Sequence, residues 1–327
     1  MNNGVPLVFA AAVLVAFAID RYCGEPPVRW HPVVWMGNYL NGMAAYVAPV
    51  EALAAFNSRD SKAFSLGALA WLAGAALVLM AACALQWAFF QLPGVLAALL
   101  MGLALKPMLA WAMLRREAQA VEDALCESLA AGRERLSWLV SRDTSQLSAG
   151  EVRESAIESL AENLNDSVVA PIFWFMLLGL PGAAVYRFAN TADAMWGYRG
   201  VRRGVNWAWA GKWAAWADDA LSWLPARLTA LLLAVAAGGL HLKALRLEAR
   251  KTPSPNSGWP MAAMALALGV SLRKPGVYTL NPAGRPPEAP DTLKAQQYAS
   301  KVVKSLVWIA SMALFLTALA LSAGLRS

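Results

Sequence analysis

The sequence predicts an all-α, polytopic helical membrane protein with about five to six spans and cytoplasm-facing polar helices and loops. Of its 327 residues 58% are apolar and 15% charged, where an ordinary soluble domain is roughly half apolar and about a quarter charged. Several apolar runs approach or exceed the about 20 residues needed to cross a hydrocarbon core of about 30 Å. Between these runs the pattern is helical, and no run alternates as a half-buried strand would.

Val5 to Ile19 is slightly short for a span. Ala16-Phe17-Ala18 resembles a cleavage site, but no Lys or Arg precedes Arg21, so the run reads as a retained helix rather than a signal peptide. Phe64 to Phe90 carries no charge, and after the turn-like Gln91-Leu92-Pro93-Gly94 comes Leu92 to Met113, with Lys106 its one charge. Residues 114–166 form an amphipathic polar segment ending in an acidic ladder. The next run, Val168 to Phe188, is interrupted by Pro171, Gly179, Pro181 and Gly182, as in re-entrant backbone that lines a cavity. Trp207, Trp209, Trp213 and Trp216 suit an interfacial helix. Leu221 to Leu240 and Leu306 to Leu325 complete the runs, with a basic segment at 241–304 and a stiff, proline-rich loop at Asn281 to Pro290 between them. The whole chain, 1–327, reads as a single integral-membrane domain.

The net charge of +7 comes from Lys and Arg scattered among apolar runs, which excludes nucleic acid as a partner and makes the lipid bilayer the surface those charges read. Ten of them (Lys243, Arg246, Arg250, Lys251, Arg273, Lys274, Arg285, Lys294, Lys301, Lys304) lie in 241–304 against Glu248, Glu288 and Asp291, placing that segment in the cytoplasm of a multi-pass protein of the cell (inner) membrane. Counting spans back puts Asp20 to Lys62 and Arg115 to Asp166 on the same side and sends Arg187 to Asp219 outward. Cys23, Cys83 and Cys126 form no C-x-x-C pair, His31 and His241 are too few for a multi-histidine metal centre, and no P-loop or dinucleotide-binding glycine motif occurs.

Glu154, Glu158, Glu162 and Asp166 recur every four residues, with Ser155, Ser159 and Asn163 in the adjacent row, so on a helix they form one ladder of carboxylates. Like charges at this spacing cost roughly 0.2–0.5 kcal/mol per pair unless compensated. A divalent metal or a basic partner would compensate them; a solvated acidic face is the plain alternative. Asn190, Thr191 and Asp193 follow the Val168 run and Asp218-Asp219 precede the Leu221 run, positions that suit helix capping as well as function. In the turn Ser254-Pro255-Asn256-Ser257-Gly258-Trp259-Pro260, backbone N–H groups and Asn256, with Arg250 and Lys251 just before, suit an anion; a connecting loop is the alternative.

Taken in order, these motifs resemble the CobD/CbiB family of cobalamin-biosynthesis membrane proteins, the adenosylcobinamide-phosphate synthases. The matching stretches are Asp20 to Pro27 with His31-Pro32-Val33, Glu158-Ser159-Leu160-Ala161-Glu162-Asn163 through Asp166 to Val168-Val169-Ala170-Pro171, Asn190 to Met195 with Gly197-Tyr198, Asp218-Asp219 with Pro225-Ala226-Arg227-Leu228, and Ser254 to Pro260. The chain departs from the pattern at Ala215-Trp216, where the family often carries an arginine, and at Ser167, where glycine is usual.

The resemblance implies a carbon–nitrogen ligase. It joins a corrin carboxylate of adenosylcobyric acid to the amine of (R)-1-aminopropan-2-ol phosphate or a related amino alcohol, with ATP as co-substrate and Mg2+ as cofactor. On that footing Glu158, Glu162, Asn163 and Asp166 are the expected catalytic residues, Glu162, Asp166, Asp218 and Asp219 the expected metal ligands, and Asn190, Asp193, Arg227, Arg250, Lys251 and Asn256 the expected substrate and phosphate contacts. Association with other membrane enzymes of cobalamin assembly is a further expectation. The competing classes are a membrane transporter or channel and a non-enzymatic sensor of the AmpE type; acids gathered at span ends rather than mid-span favour the enzyme.

Overall fold

The structure, a computed structural model, describes residues 4–50, 60–239 and 241–324. Residues 51–59 of the first polar segment, and Leu240 and Leu325 at the ends of two expected spans, lie outside the described residues. Among the described residues thirteen α-helices run in the order α1 (Val5–Tyr22), α2 (Pro32–Val47), α3 (Ser61–Phe90), α4 (Gly94–Leu105), α5 (Trp111–Glu127), α6 (Leu129–Leu136), α7 (Ala149–Leu164), α8 (Ala170–Leu178), α9 (Leu180–Trp196), α10 (Lys212–Ala236), α11 (Leu242–Ala249), α12 (Gly258–Leu268) and α13 (Ala289–Gly324). Two antiparallel hairpins are additions to the helical expectation: β1 (Val201–Arg202) with β2 (Val205–Asn206), and β3 (Leu272–Lys274) with β4 (Tyr278–Leu280), the latter pairing Leu272 with Leu280 and Lys274 with Tyr278. Strands of two or three residues are too short to leave a period-two pattern.

Among the described residues five stretches are long and apolar enough to cross a membrane: Val5–Tyr22, Ser61–Phe90, Gly94–Glu127, Lys212–Ala236 and Ala289–Ala320. The sixth expected run, Val168 to Phe188, is not one helix. A π-helical turn at Asn165–Val169 leads into α8, and Gly179 then sits at φ 69°, ψ −152° before α9. That backbone conformation is open essentially to glycine alone. Gln86 Oε1 accepts the Leu180 N–H at 2.8 Å, and a Cβ at position 179 would press on Gln86 and Phe9. Gly179→Ala is therefore expected to destabilise the detergent-purified protein by about 1–3 kcal/mol, read as a lower melting temperature; an unchanged midpoint would refute the strained break.

Helix ends also differ from the sequence reading. α10 begins at Lys212, so Asp218 and Asp219 lie inside it and Asp219 caps no helix at Leu221; Asn190 lies within α9 rather than at its end. Of the four tryptophans expected on an interfacial helix, only Trp213 and Trp216 are helical, in the first turns of α10. Lys106, the one charge of the third run, is 2% exposed and lies 2.6 Å from Glu25 Oε2 and 3.3 Å from Asp20 Oδ1. Burial pushes the Glu25 carboxyl up, but bonds from His31 and Lys106 outweigh it and hold the group below its ordinary range.

The chain packs as two compact units, each discontinuous in sequence: Met1–Leu109 with Pro171–Leu221 and Ser311–Ser327, and Ala110–Ala170 with Ser222–Ala310. In the first, α1 packs on α4, and α9 on α2 and α3. In the second, α7 packs on α5, α6, α12 and β3.

Within the second unit Glu154 of α7 is ion-paired with Arg273 of β3 at 3.0 Å, so the two polar segments carrying them meet within this unit. Arg227, in the C-terminal half of α10, bonds to Asn256 Oδ1 at 3.0 Å and to the Pro255 carbonyl at 3.4 Å in the polar turn, which keeps that part of the helix beside polar chain.

Candidate functional site

Helix α7 starts at a capping box: the Ser148 hydroxyl accepts from the Glu151 N–H, and the Glu151 carboxylate accepts from the Ser148 N–H at 2.8 Å. Val152 and Ala156 join Val121, Leu136 and Leu147 in a hydrophobic cluster, while Ile157, Leu160, Ala161 and Leu164 are buried against other neighbours. The acidic ladder is not a solvated face. Glu154 is fully buried and Glu158 is 5% exposed.

Basic partners offset the repulsion along the ladder. Arg273 brings Nε and Nη2 to Glu154 at 3.0–3.2 Å and its backbone N–H to the same carboxylate at 2.9 Å. Arg142, in the loop before α7, donates Nη2 to Glu158 Oε2 at 3.3 Å and to the Ser155 hydroxyl. Burial nevertheless pushes both carboxyls above their ordinary range, and neither arginine fully reverses it. Desolvation of the charged form is the larger effect.

Glu158, Glu162 and Asn163 line one cavity of about 170 Å³ with Ser141, Arg142, Ser155, Ser159, Lys274 and Tyr278. Among the described residues, Arg142 Nε and Nη1 are buried without a hydrogen-bond partner, although buried polar atoms are paired in the great majority of cases. Asn163 is held by the Ser159 carbonyl at 2.9 Å. Burial, then the Glu158 charge, drives the Tyr278 phenol up, so it stays protonated. Asp166 lies in the π-helical turn, where the Asn165 amide donates to it at 2.8 Å and Asn165 in turn accepts from Thr229 at 3.0 Å. Such turns recur at functional sites.

A second cavity of about 680 Å³ in the same unit is lined by Arg227, Arg246, Arg250, Trp223, Trp259 and the turn 252–255, with no carboxylate in its wall. Arg227 lies over the Trp223 and Trp259 rings at 4.2 and 4.9 Å, a placement Asn256 reinforces. Of the expected phosphate contacts, Arg227 and Arg250 line this cavity, while Lys251 pairs its Nζ with Glu248 Oε1 at 2.7 Å.

Asn190, Asp193, Asp218 and Asp219 belong to the first unit. Asn190 Nδ2 donates to Asp218 Oδ1 at 3.4 Å and Arg187 Nη1 to Asn190 Oδ1 at 3.3 Å, which joins α9 to α10 there. Among the described residues no three His, Cys, Asp or Glu side chains come together as a metal-holding group.

Sequence reasoning missed Arg142, Lys274, Tyr278 and Arg246. The signal for Arg246 was its i, i+4 spacing from Arg250, which caps the short amphipathic helix α11; the other three carry no local signal.

A family profile described as CobD/Cbib protein matches residues 13–309. The chain belongs to the CobD/CbiB family. It is 40% identical over 280 residues, 83% of this chain and 86% of the relative, to the probable cobalamin biosynthesis protein CobD of Methanothermobacter thermautotrophicus. It is 43% identical over 265 residues, 79% of each, to the cobalamin biosynthesis protein CobD of Chromobacterium violaceum. The probable cobalamin biosynthesis protein CobD of Thermococcus kodakarensis is 39% identical over 306 residues, 93% of this chain and 94% of the relative. No solved structure matches. Both cavities of this CobD/CbiB chain, and the whole acidic ladder, fall inside the matched range.

Proposed function

We propose that this CobD/CbiB protein acts in cobalamin biosynthesis as adenosylcobinamide-phosphate synthase, an ATP-dependent carbon–nitrogen ligase of the inner membrane. The observation that carries the reading is the cavity beside α7, where the buried Glu158 carboxylate, the Tyr278 phenol and the Arg142 guanidinium meet. In the proposed reaction a carboxylate oxygen of adenosylcobyric acid attacks the γ-phosphorus of ATP and ADP leaves. The amine nitrogen of the amino-alcohol phosphate then attacks the acyl carbon, inorganic phosphate leaves, and the amide is complete.

The ammonium must lose a proton before it can attack. Glu158 suits that task because its raised pKa makes it a stronger base than an ordinary carboxylate. Glu162 and Asn163 orient the amine beside it. Arg227 and Arg250, held by Asn256 and the turn, supply cationic donors for the nucleotide phosphates. Asn190, Asp193, Asp218 and Asp219 are kept in the proposal as polar substrate contacts and a second metal position. The hard oxygen donors of Glu162 and Asp166 suit magnesium, which takes one or two carboxylates and completes its shell with water and phosphate oxygens; when bound, it neutralises charge on the phosphates.

The test is to incubate membranes containing the protein with adenosylcobyric acid, aminopropanol phosphate, magnesium and ATP. Mass spectrometry is expected to find a corrinoid that has gained the amino-alcohol phosphate with loss of water, formed only when ATP is present. Active membranes that leave adenosylcobyric acid unchanged would overturn the proposal.

A further inference from the structure

Helix α13 carries one exposed face that the proposed reaction does not use. Lys294, Lys301, Lys304 and Trp308 are exposed, and Tyr298 is half-buried between the first two lysines. At 3.6 residues per turn these five positions fall within about a third of the helix circumference. Lys294 Nζ and Lys301 Nζ lie 5.8 and 5.5 Å from the Tyr298 ring centre. Lys301 Nζ also donates to the carbonyl of Ala236, the last residue of α10, at 3.5 Å.

The charge on this face has no counterpart nearby in the chain. From Thr292 to Ser327 there is no Asp or Glu, and Asp291 just before is buried and held by Arg285 at 2.6 Å. Among the described residues the lysines that pair with carboxylates are Lys106 and Lys251. Three ammonium groups are therefore left for an outside anion.

Depth identifies that anion. α13 is one unbroken helix, so the apolar run that begins at Leu306 fixes how far from the hydrocarbon each lysine stands. At 1.5 Å per residue Lys304 lies about 3 Å, Lys301 about 8 Å and Lys294 about 18 Å before that run. The headgroup layer is about 5–8 Å deep on each side of a bilayer, and a lysine extends its charge along the helix to reach it. Lys301 and Lys304 thus meet the lipid phosphates, with Trp308 at the level interfacial tryptophans prefer, while Lys294 stands beyond them in water. A soluble anion gains nothing from Trp308. A zwitterionic headgroup brings its own cation against the lysines, which an anionic one does not.

We propose that this face of α13 holds an anionic phospholipid in preference to a zwitterionic one, with Lys301 and Lys304 on the headgroup phosphate and Trp308 against the top of the acyl chains. The lipid is a bound partner here rather than only the solvent of the span.

The test is native mass spectrometry of the full-length, detergent-purified protein, given phosphatidylglycerol or phosphatidylcholine of the same acyl chains. The first phosphatidylglycerol is expected to bind about tenfold or more tightly than the first phosphatidylcholine, and the preference should shrink as salt is raised. Lys301→Gln with Lys304→Gln is expected to weaken it about tenfold or more, at about fivefold per lysine. Lys301→Arg with Lys304→Arg should retain it. Lys294→Gln should cost less than about twofold, because a charge that far out is screened by more than one Debye length. Equal affinity for the two lipids, an unchanged preference in the double glutamine variant, an equal loss in Lys294→Gln, or displacement of the lipid by inorganic phosphate would overturn the inference.

Discussion

Glu158→Gln is expected to lower the rate of amide formation by about 10²–10⁴-fold, the usual worth of a positioned general base, and at the same time to leave the protein at least as stable as wild type at pH 8. The second half follows from linkage. Burial raises the Glu158 pKa in the folded chain, so the folded state holds that proton to higher pH than the unfolded state does. Where the folded state binds more protons, stability falls as pH rises. Above the unfolded carboxyl value the wild type carries a penalty for a buried charge that glutamine lacks; near pH 4, with the carboxyl mostly protonated in both states, the difference narrows. Product formation by mass spectrometry and the unfolding midpoint by tryptophan fluorescence at pH 4 and pH 8 read the two effects. A variant that is inactive because it is destabilised at pH 8 would show Glu158 to be a structural ion-pair member only. In the wild type the acid limb of the pH–rate profile is expected above the ordinary carboxylate range, because the base must be ionised to accept the proton.

What the sequence reveals here is local. The four-residue spacing of Glu154, Glu158 and Glu162 declares one helical row, and the interruption at Gly179 is readable from the glycine and prolines around it. Their partners are a different matter. Arg142 precedes Glu158 by 16 residues, and Arg273 follows Glu154 by 119; no periodicity links residues that only tertiary packing brings together. For this reason the ladder is readable as an uncompensated row of charge, while the two guanidinium groups that compensate it, and the cavity they complete, are not.

Boundaries fail for a related reason. The apolar run beginning at Leu221 records where the chain becomes greasy, but α10 starts nine residues earlier, because Lys212, Asp218 and Asp219 are acceptable in a helix although they end a hydropathy run. The ion pair of Lys251 had a local signal: Glu248 three residues before it is the i, i+3 partner of its ammonium.

Arg273→Ala is expected to loosen the α7 cavity from outside. The substitution removes the guanidinium from a fully buried Glu154 and leaves that carboxylate without its ion-pair partner. Stripping one partner from a fully buried ion pair costs about 3–5 kcal/mol. Arg273 itself is about half exposed, so water already screens the pair and the expected loss is smaller, about 1–3 kcal/mol. The sign of its pH dependence is fixed by the carboxyl. Without the arginine, the Glu154 pKa, already raised by burial, rises further, and the charged form becomes harder to bury. The deficit should therefore grow from pH 5 to pH 8, and adding Glu154→Gln to the variant should recover most of it. The same loss frees the β3–β4 hairpin that holds Lys274 and Tyr278 in the cavity wall, so amide formation should also slow in Arg273→Ala although residue 273 does not line that cavity. A stability deficit independent of pH, or one that the second substitution fails to repair, would mean that Glu154 and Arg273 do not act as the clamp between α7 and the hairpin.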